Sequence, residues 1–233
     1  MKSLLIGAVI GLLPALTLAQ APAPQGPAPA LQGPASTVAY VDILPASRAQ
    51  AIDAFRAYRD ASRLESGFVG LDVFEQQRRG AYYVIVETWA NASALDAHAK
   101  APHTAALLTA MGRLAMSGYD QRPYGVLTVA PGRAVNPQAV YIVTHVDTIP
   151  APGSDPSGML KALADKSRAE AGNLRFDVLQ HTMRRNHFTL VETWENPAAA
   201  EAHAAAAHTR QYRLEIMPLS GSPLDERLFR AVE

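Results

Sequence analysis

The sequence predicts an α+β protein made of two tandem ferredoxin-like units, each β-α-β-β-α-β, folded against each other as a barrel within one chain. Three observations predict it. The sequence repeats itself at a constant offset of 105 residues, both copies show the same order of strand and helix patterns, and turn and cap residues recur at matching places.

The repeat is read directly. Val86–Trp89 (VETW) returns as Val191–Trp194, Asn91 as Asn196, His98 as His203, and His103-Thr104 as His208-Thr209. Upstream, Val41-Asp42, Ser62-Arg63, Gly67 and Asp72-Val73 return as Val146-Asp147, Ser167-Arg168, Gly172 and Asp177-Val178. From Val41 to Thr104 about 25 of 64 positions are identical without a gap, which unrelated segments would not show.

Each copy opens on a strand rich in β-branched and aromatic residues, Val38–Leu44 and Val140–Thr148. A helix follows. Ser47 and Gln50 have capping-box spacing, and Ile52, Phe55, Tyr58 and Ser62 share a face. In the second copy Asp155 caps, Pro156 starts the turn, and Met159, Leu160 and Leu163 form the stripe. Gly67 and Gly172 stand where a left-handed residue ends a helix. Strands are then expected over Val69–Gln76 and Ala81–Trp89, turning at Arg78-Arg79-Gly80. Asn91 and Asn196 are N-caps of a helical region that runs to about Met116 and breaks near Pro102. Short strands at Gly125–Val129 and Arg227–Val232 close the copies. Such a sheet packs helices on one face and needs a cover on the other, and the second copy supplies it.

Residues Met1–Ala19 have the pattern of a secretory leader: Lys2, an apolar run from Leu4 to Leu18, and small residues Thr17 and Ala19 before Gln20. The run is shorter than a bilayer span, so no membrane span is expected after cleavage. Gln20–Ser36, mostly Ala, Pro, Gly and Gln, reads as an extended tether. The domains are expected over residues 37–130 and 138–233, with the joint APGRAVNP between them. The location implied is secreted or periplasmic. At 48% apolar and 18% charged residues the chain is globular, and with no basic run at zero net charge it is no nucleic-acid binder. With no cysteine there are no disulfides, thiolate metal sites or Cys nucleophiles.

Period-two alternation puts Tyr83, Ile85, Glu87 and Trp89 on one face of the third strand, and Phe188, Leu190, Glu192 and Trp194 on its repeat. A carboxylate in an apolar row is either a paired strand terminus or part of a site. His98 and His103, like His203 and His208, are five apart. On an uninterrupted helix that is about 140° of rotation, so the rings would diverge. No third ligand is evident, and no metal site is expected. Each His either caps backbone near a helix break or lines a pocket as a proton acceptor. No P-loop, dinucleotide fingerprint, nucleophile elbow or H-E-x-x-H motif is present, so no flavin or nucleotide cofactor is indicated.

The segment V-E-T-W-x-N-x-x-A-x-x-A-H-x-x-x-x-H after a β-α-β-β pattern resembles the antibiotic biosynthesis monooxygenase domains of the dimeric α/β-barrel superfamily. The resemblance spans both copies, from about Val38 to Val129 and from about Val140 to Val232. It implies a barrel formed by paired units, and oxygenation of quinol-type substrates without metal or flavin. In those terms His98 and His203 are the candidate bases. Trp89, Trp194, Tyr83, Phe188, Met111, His103 and His208 would contact a small aromatic substrate. The haem-degrading branch fits less well, since the first strands carry Tyr40, Asp42, His145 and Asp147 in place of its Asn. The alternative is a module that binds a small ligand or haem without chemistry. Self-association of whole chains is left open. The most useful observation is whether His98 and Trp89 line one closed, apolar cavity of about 300 Å³ or more. If they point to solvent on separate faces, the enzyme reading loses most of its support.

Overall fold

The computed structural model describes residues 33–129 and 138–232. The leader, most of the tether and the joint between the copies lie outside them. The first copy comprises β1 (Ala35–Asp42), α1 (Arg48–Ser62), β2 (Phe68–Gln76), β3 (Tyr82–Trp89), α2 (Ala92–Ala99), α3 (Pro102–Leu114) and β4 (Asp120–Thr128). The second repeats this order: β5 (Val140–Asp147), α4 (Pro156–Arg168), β6 (Asn173–His181), β7 (His187–Trp194), α5 (Pro197–Ala205), α6 (Ala207–Ile216) and β8 (Asp225–Ala231).

The eight strands form one closed barrel in the order β1-β3-β2-β8-β5-β7-β6-β4. The halves therefore meet along their edges as well as across their faces. β4 pairs with β1 of its own copy and β6 of the other, and β8 pairs with β5 and with β2. Closure leaves no strand edge open. Side chains pointing inward, among them Val38, Phe74, Val86, Leu179, Val191 and Phe229, fill the barrel, while the outward faces pack under the helices as two further cores. β1, β3, β5 and β7 are thus buried on both faces along most of their length, while β4 and β8 carry exposed polar residues. The alternation separates the barrel interior from the helix-covered layer.

Local chemistry accounts for most boundaries. Asn91, Asn196 and Asp155 accept hydrogen bonds from Ala94, Ala199 and Gly158 at their helix starts. Gly67 and Gly172 have φ of 81° and 80°, and a Cβ on either would stand 2.6 Å from that of Ala94 or Ala199. The capping box at Ser47 does not form. Ser47 closes a 3-10 turn, Pro45–Ser47, with φ −99° and ψ 3°, and its hydroxyl makes no cap bond. β1 begins at Ala35 and β4 at Asp120, both earlier than patterning suggests, because pairing between the two extends the ladder across polar residues. The helical region breaks at Lys100-Ala101 in the first copy, and at Ala206 in the second without a proline. Among the described residues no helix is long and apolar enough to cross a membrane.

Charged groups tie the halves together. Glu75 on β2, with its side chain 1% exposed, accepts from Arg48 and from Arg230 of β8, with closest approaches of 2.6 and 2.7 Å. The bonds from Arg48 and Arg230 outweigh burial and hold the carboxyl down at about 2. A depressed carboxyl stabilises the fold fully above its unfolded value, and that contribution fades as pH falls towards 2. Glu75→Gln is accordingly expected to be about 1–3 kcal/mol less stable at pH 7 and to lose less on acidification below about pH 4.5. Urea melts across pH 2–7 read this out, and parallel wild-type and variant curves would refute it.

Candidate active site

The signature residues gather under the helices, outside the barrel wall. β3 turns Glu87 and Trp89 outward, and α2, started by the Asn91 cap, lays His98 on the Trp89 indole with ring centroids 4.3 Å apart. Glu87, Trp89 and His98 are all buried. The break after α2 changes the geometry expected of the two histidines. His98 and His103 do not diverge: their rings lie 5.4 Å apart, and both reach one oxygen of Glu65, from Nδ1 at 2.6 Å and Nε2 at 2.8 Å. Glu65 is the third member that the spacing argument lacked, delivered by the turn between α1 and β2.

Each histidine nitrogen approaches Glu65 at hydrogen-bond length. Zinc ligands about 2.0–2.1 Å from an ion stand roughly 3 Å or more apart. As they stand, the contacts have the lengths of a carboxylate accepting from two imidazoles. The expectation that no third ligand accompanies the histidines is corrected, because Glu65 here and Glu170 beside His203 and His208 complete trios whose ligand atoms lie within 4.8 Å of one another.

Beyond His98 the row continues inward. Tyr58 of α1 stands 2.6 Å from His98 Nε2 and donates to Glu87 Oε1 at 2.7 Å. Three contacts in line, Glu65–His98–Tyr58–Glu87, need three hydrogens. With both carboxylates accepting, these come from Nδ1–H, Nε2–H and the Tyr58 hydroxyl, which makes His98 an imidazolium. Burial opposes that charge, but hydrogen bonding to Glu87 and Glu65 and their negative charge outweigh it and raise His98 above its ordinary value.

The second copy keeps the outer part of this arrangement and loses the inner part. Glu170 holds His203 Nδ1 at 2.6 Å and His208 Nε2 at 3.0 Å, and His203 stacks on Trp194 at 4.4 Å. Leu163 replaces Tyr58. No hydroxyl bridges His203 to Glu192, whose nearest oxygen is 3.6 Å from Nε2 and accepts instead from the Trp194 indole at 3.0 Å. Burial then dominates both groups. It lowers His203, and it raises Glu192 to about 8 despite the Trp194 bond. At neutral pH this pair is an uncharged imidazole and a carboxylic acid.

Here a cavity of about 260 Å³ opens, lined by Glu192 and His203 with Val140, Ile142, Ala200 and Leu228. Arg213 and Glu226, 3.1 Å apart, also line it. The cavity does not lie at His98 and Trp89, where the enzyme reading expects one, since both are fully buried and neither lines it. Trp194 stands behind His203 as a stacking support. Of the other residues read as substrate contacts, Tyr83 is at the far end of β3, packed on Phe55 and donating to Glu75. Met111 and Phe188 are buried in the two helix-side cores.

An eight-stranded barrel with a helix-covered Glu-Trp-His cluster on each half defines a fused pair of ferredoxin-like units closed as an α/β barrel. The sequence profile of the antibiotic biosynthesis monooxygenases matches residues 34–109 and 159–213, more than half of the chain. The chain belongs to that family. A protein of Bacillus subtilis (strain 168) named "Putative monooxygenase YcnE" is 32% identical over 65 residues, which are 28% of this chain and 68% of that protein. The fold is shared with two crystal structures described as monooxygenases. One is from Fusobacterium nucleatum (TM-score 0.78, 16% identity, 86% of this chain and 93% of that one). The other is from Lactobacillus acidophilus NCFM (TM-score 0.76, 16% identity, 87% and 95%).

Proposed function

We propose that the second copy is the working site of a cofactor-independent monooxygenase acting on a single-ring quinol or phenol. The observation that carries this reading is the uncharged His203 opening with Glu192 onto a cavity of about 260 Å³ that has Val140, Ile142, Ala200 and Leu228 on its apolar side. A cavity of about 150 Å³ accommodates benzene, so one substituted ring fits. A haem macrocycle does not fit this cavity.

The chemistry needs no external reductant. His203 Nε2 removes a phenolic proton, and its Nδ1–H stays fixed on Glu170. The electron-rich anion reduces oxygen by one electron, and the two radicals join as a carbon-bound peroxide. Loss of water leaves a hydroxyquinone, so that hydroquinone and O₂ together account for every atom of product and water. Glu192, held protonated by burial, has an O–H to donate to the ring oxygen that becomes a carbonyl.

The first copy is proposed as the scaffold half. Its His98 is charged and enclosed, the wrong state for a base. Export is proposed from the leader Met1–Ala19, so the mature chain would begin at Gln20.

The test is oxygen uptake by the purified, chelator-treated chain with hydroquinone, its N-terminal mass being measured on the same exported preparation. His203→Ala is expected to lower turnover at least about tenfold, roughly 1.4 kcal/mol of barrier. His98→Ala, if folded, is expected to retain turnover. Equal activity in wild type and His203→Ala would dispose of the assignment.

A further inference from the structure

A second cavity, of about 680 Å³, lies at one mouth of the barrel, away from the helix-covered clusters. Its walls come from β4, β5, the β6–β7 turn and the start of β8. We propose that it binds a small aromatic carboxylate, clamped by Arg184 over a floor of Tyr124, His145, His181 and His187.

The first copy shows what this mouth looks like when satisfied from within. Arg79 lies over the Tyr82 ring at 4.5 Å and grips both oxygens of Asp42 at 2.9 and 2.7 Å. The equivalents in the second copy are Arg184, His187 and Asp147. The carboxylate, however, is already engaged. Asn186, where the first copy has Ala81, donates to Asp147 at 3.2 Å, and His187 approaches it at 3.4 Å. The Arg184 guanidinium is left exposed, with no side-chain partner among the described residues. A ligand carboxylate would take here the place that Asp42 holds in the first copy, and arginine is suited to grip it with two parallel bonds.

Charge and ring content select the ligand. The other acidic groups at the mouth are compensated, Asp120 by Arg122 and Asp225 by Arg227, each at 2.6 Å. Among the described residues Arg184 grips no carboxylate, and Asp147 beside it is held by Asn186 and His187 rather than by a guanidinium. The mouth thus offers one free guanidinium without a net positive charge, and the field of Arg184 helps lower His181, after burial. The floor is aromatic, and its histidines replace Tyr40, Gln76 and Tyr82 of the first copy. Among them His145 is held down at about 4, by burial first and then by Arg122, and is neutral.

A polar row ends at the cavity. Tyr40 donates to His145 Nε2 at 2.6 Å, His145 Nδ1–H to Thr189 at 3.0 Å, and Thr189 to the Tyr124 oxygen at 3.0 Å. This row leaves the Tyr124 hydroxyl hydrogen for an acceptor on the ligand. Rings to stack on, one free guanidinium and one spare hydroxyl donor together describe an aromatic carboxylate.

Isothermal titration of the full chain with benzoate, which has no phenolic hydroxyl for the oxygenase site, tests this, with uncharged benzamide as the comparison. One saturable site per chain is expected. Affinity should fall at least about tenfold for the amide and for Arg184→Ala, while Arg79→Ala binds as wild type does. Both arginines are exposed turn residues, so neither change threatens the fold. His203→Ala should bind normally, which separates this cavity from the oxygenase site. Absence of saturable heat at millimolar ligand, or undiminished affinity in Arg184→Ala, would overturn the proposal.

Discussion

Arg175→Ala is expected to destabilise the barrel by about 3–5 kcal/mol, the usual cost of removing one partner from a buried ion pair. Arg175 lies inside the barrel, 5% exposed, and joins the two copies by donating to Asp177 at 2.6 Å and to Asp72 at 2.8 Å. Asp177 is 1% exposed, so solvent cannot replace the lost cation. The cluster exists once in the molecule, because the first-copy equivalent of Arg175 is Gly70. A duplicated fold thus uses a difference between its copies to hold them together. Guanidinium denaturation at pH 7 measures the loss. A shift below about 1 kcal/mol would mean that the interior is wet enough to solvate both carboxylates. Arg175→Met, which keeps much of the volume without the charge, should recover little, because the loss is electrostatic rather than a cavity.

The duplication, the strand and helix order and the caps were legible because each is a local pattern. Asn91, Asn196 and Asp155 act within one turn of chain, and an alternation such as Tyr83-Ile85-Glu87-Trp89 follows from backbone geometry alone. Barrel closure by β2–β8 and β4–β6 pairing was not legible in this way, since it depends on how strands from different copies meet. Nor was the grouping of His98 with His103. A helical wheel separates them, and only the chain break between α2 and α3 returns both to Glu65. A signal for Glu65 was nevertheless present, because Glu65 and Glu170 stand at the same offset of 105 as the paired histidines. Tyr58 was readable as a core position on α1. Its hydroxyl role was not, because that depends on packing against α2 and β3. Nor could the sequence rank the two candidate bases. Their opposite shifts arise from what surrounds them, not from the motif they share.

Tyr58→Phe is expected to cost about 2–4 kcal/mol, although it removes a single oxygen and keeps the ring in place. That oxygen touches Glu87 at 2.7 Å and His98 at 2.6 Å, and neither group has water to turn to. Two buried polar groups losing a partner would each cost about 1–3 kcal/mol. Part is recovered if His98 closes on Glu87, whose second oxygen is already 3.4 Å from Nε2. Thermal or urea unfolding of the variant gives the number, and a loss under about 0.5 kcal/mol would show that the hydroxyl holds nothing. The second copy has made a comparable change, with Leu163 at the same position. There Glu192 has turned to the Trp194 indole, its acid has risen to about 8, and it and His203 face a cavity. One residue on the first helix of each copy therefore separates a locked ionic row from an uncharged, open acid–base pair. In a family fold that builds the same cluster twice, that position accounts for why the proposed base is His203 and not His98.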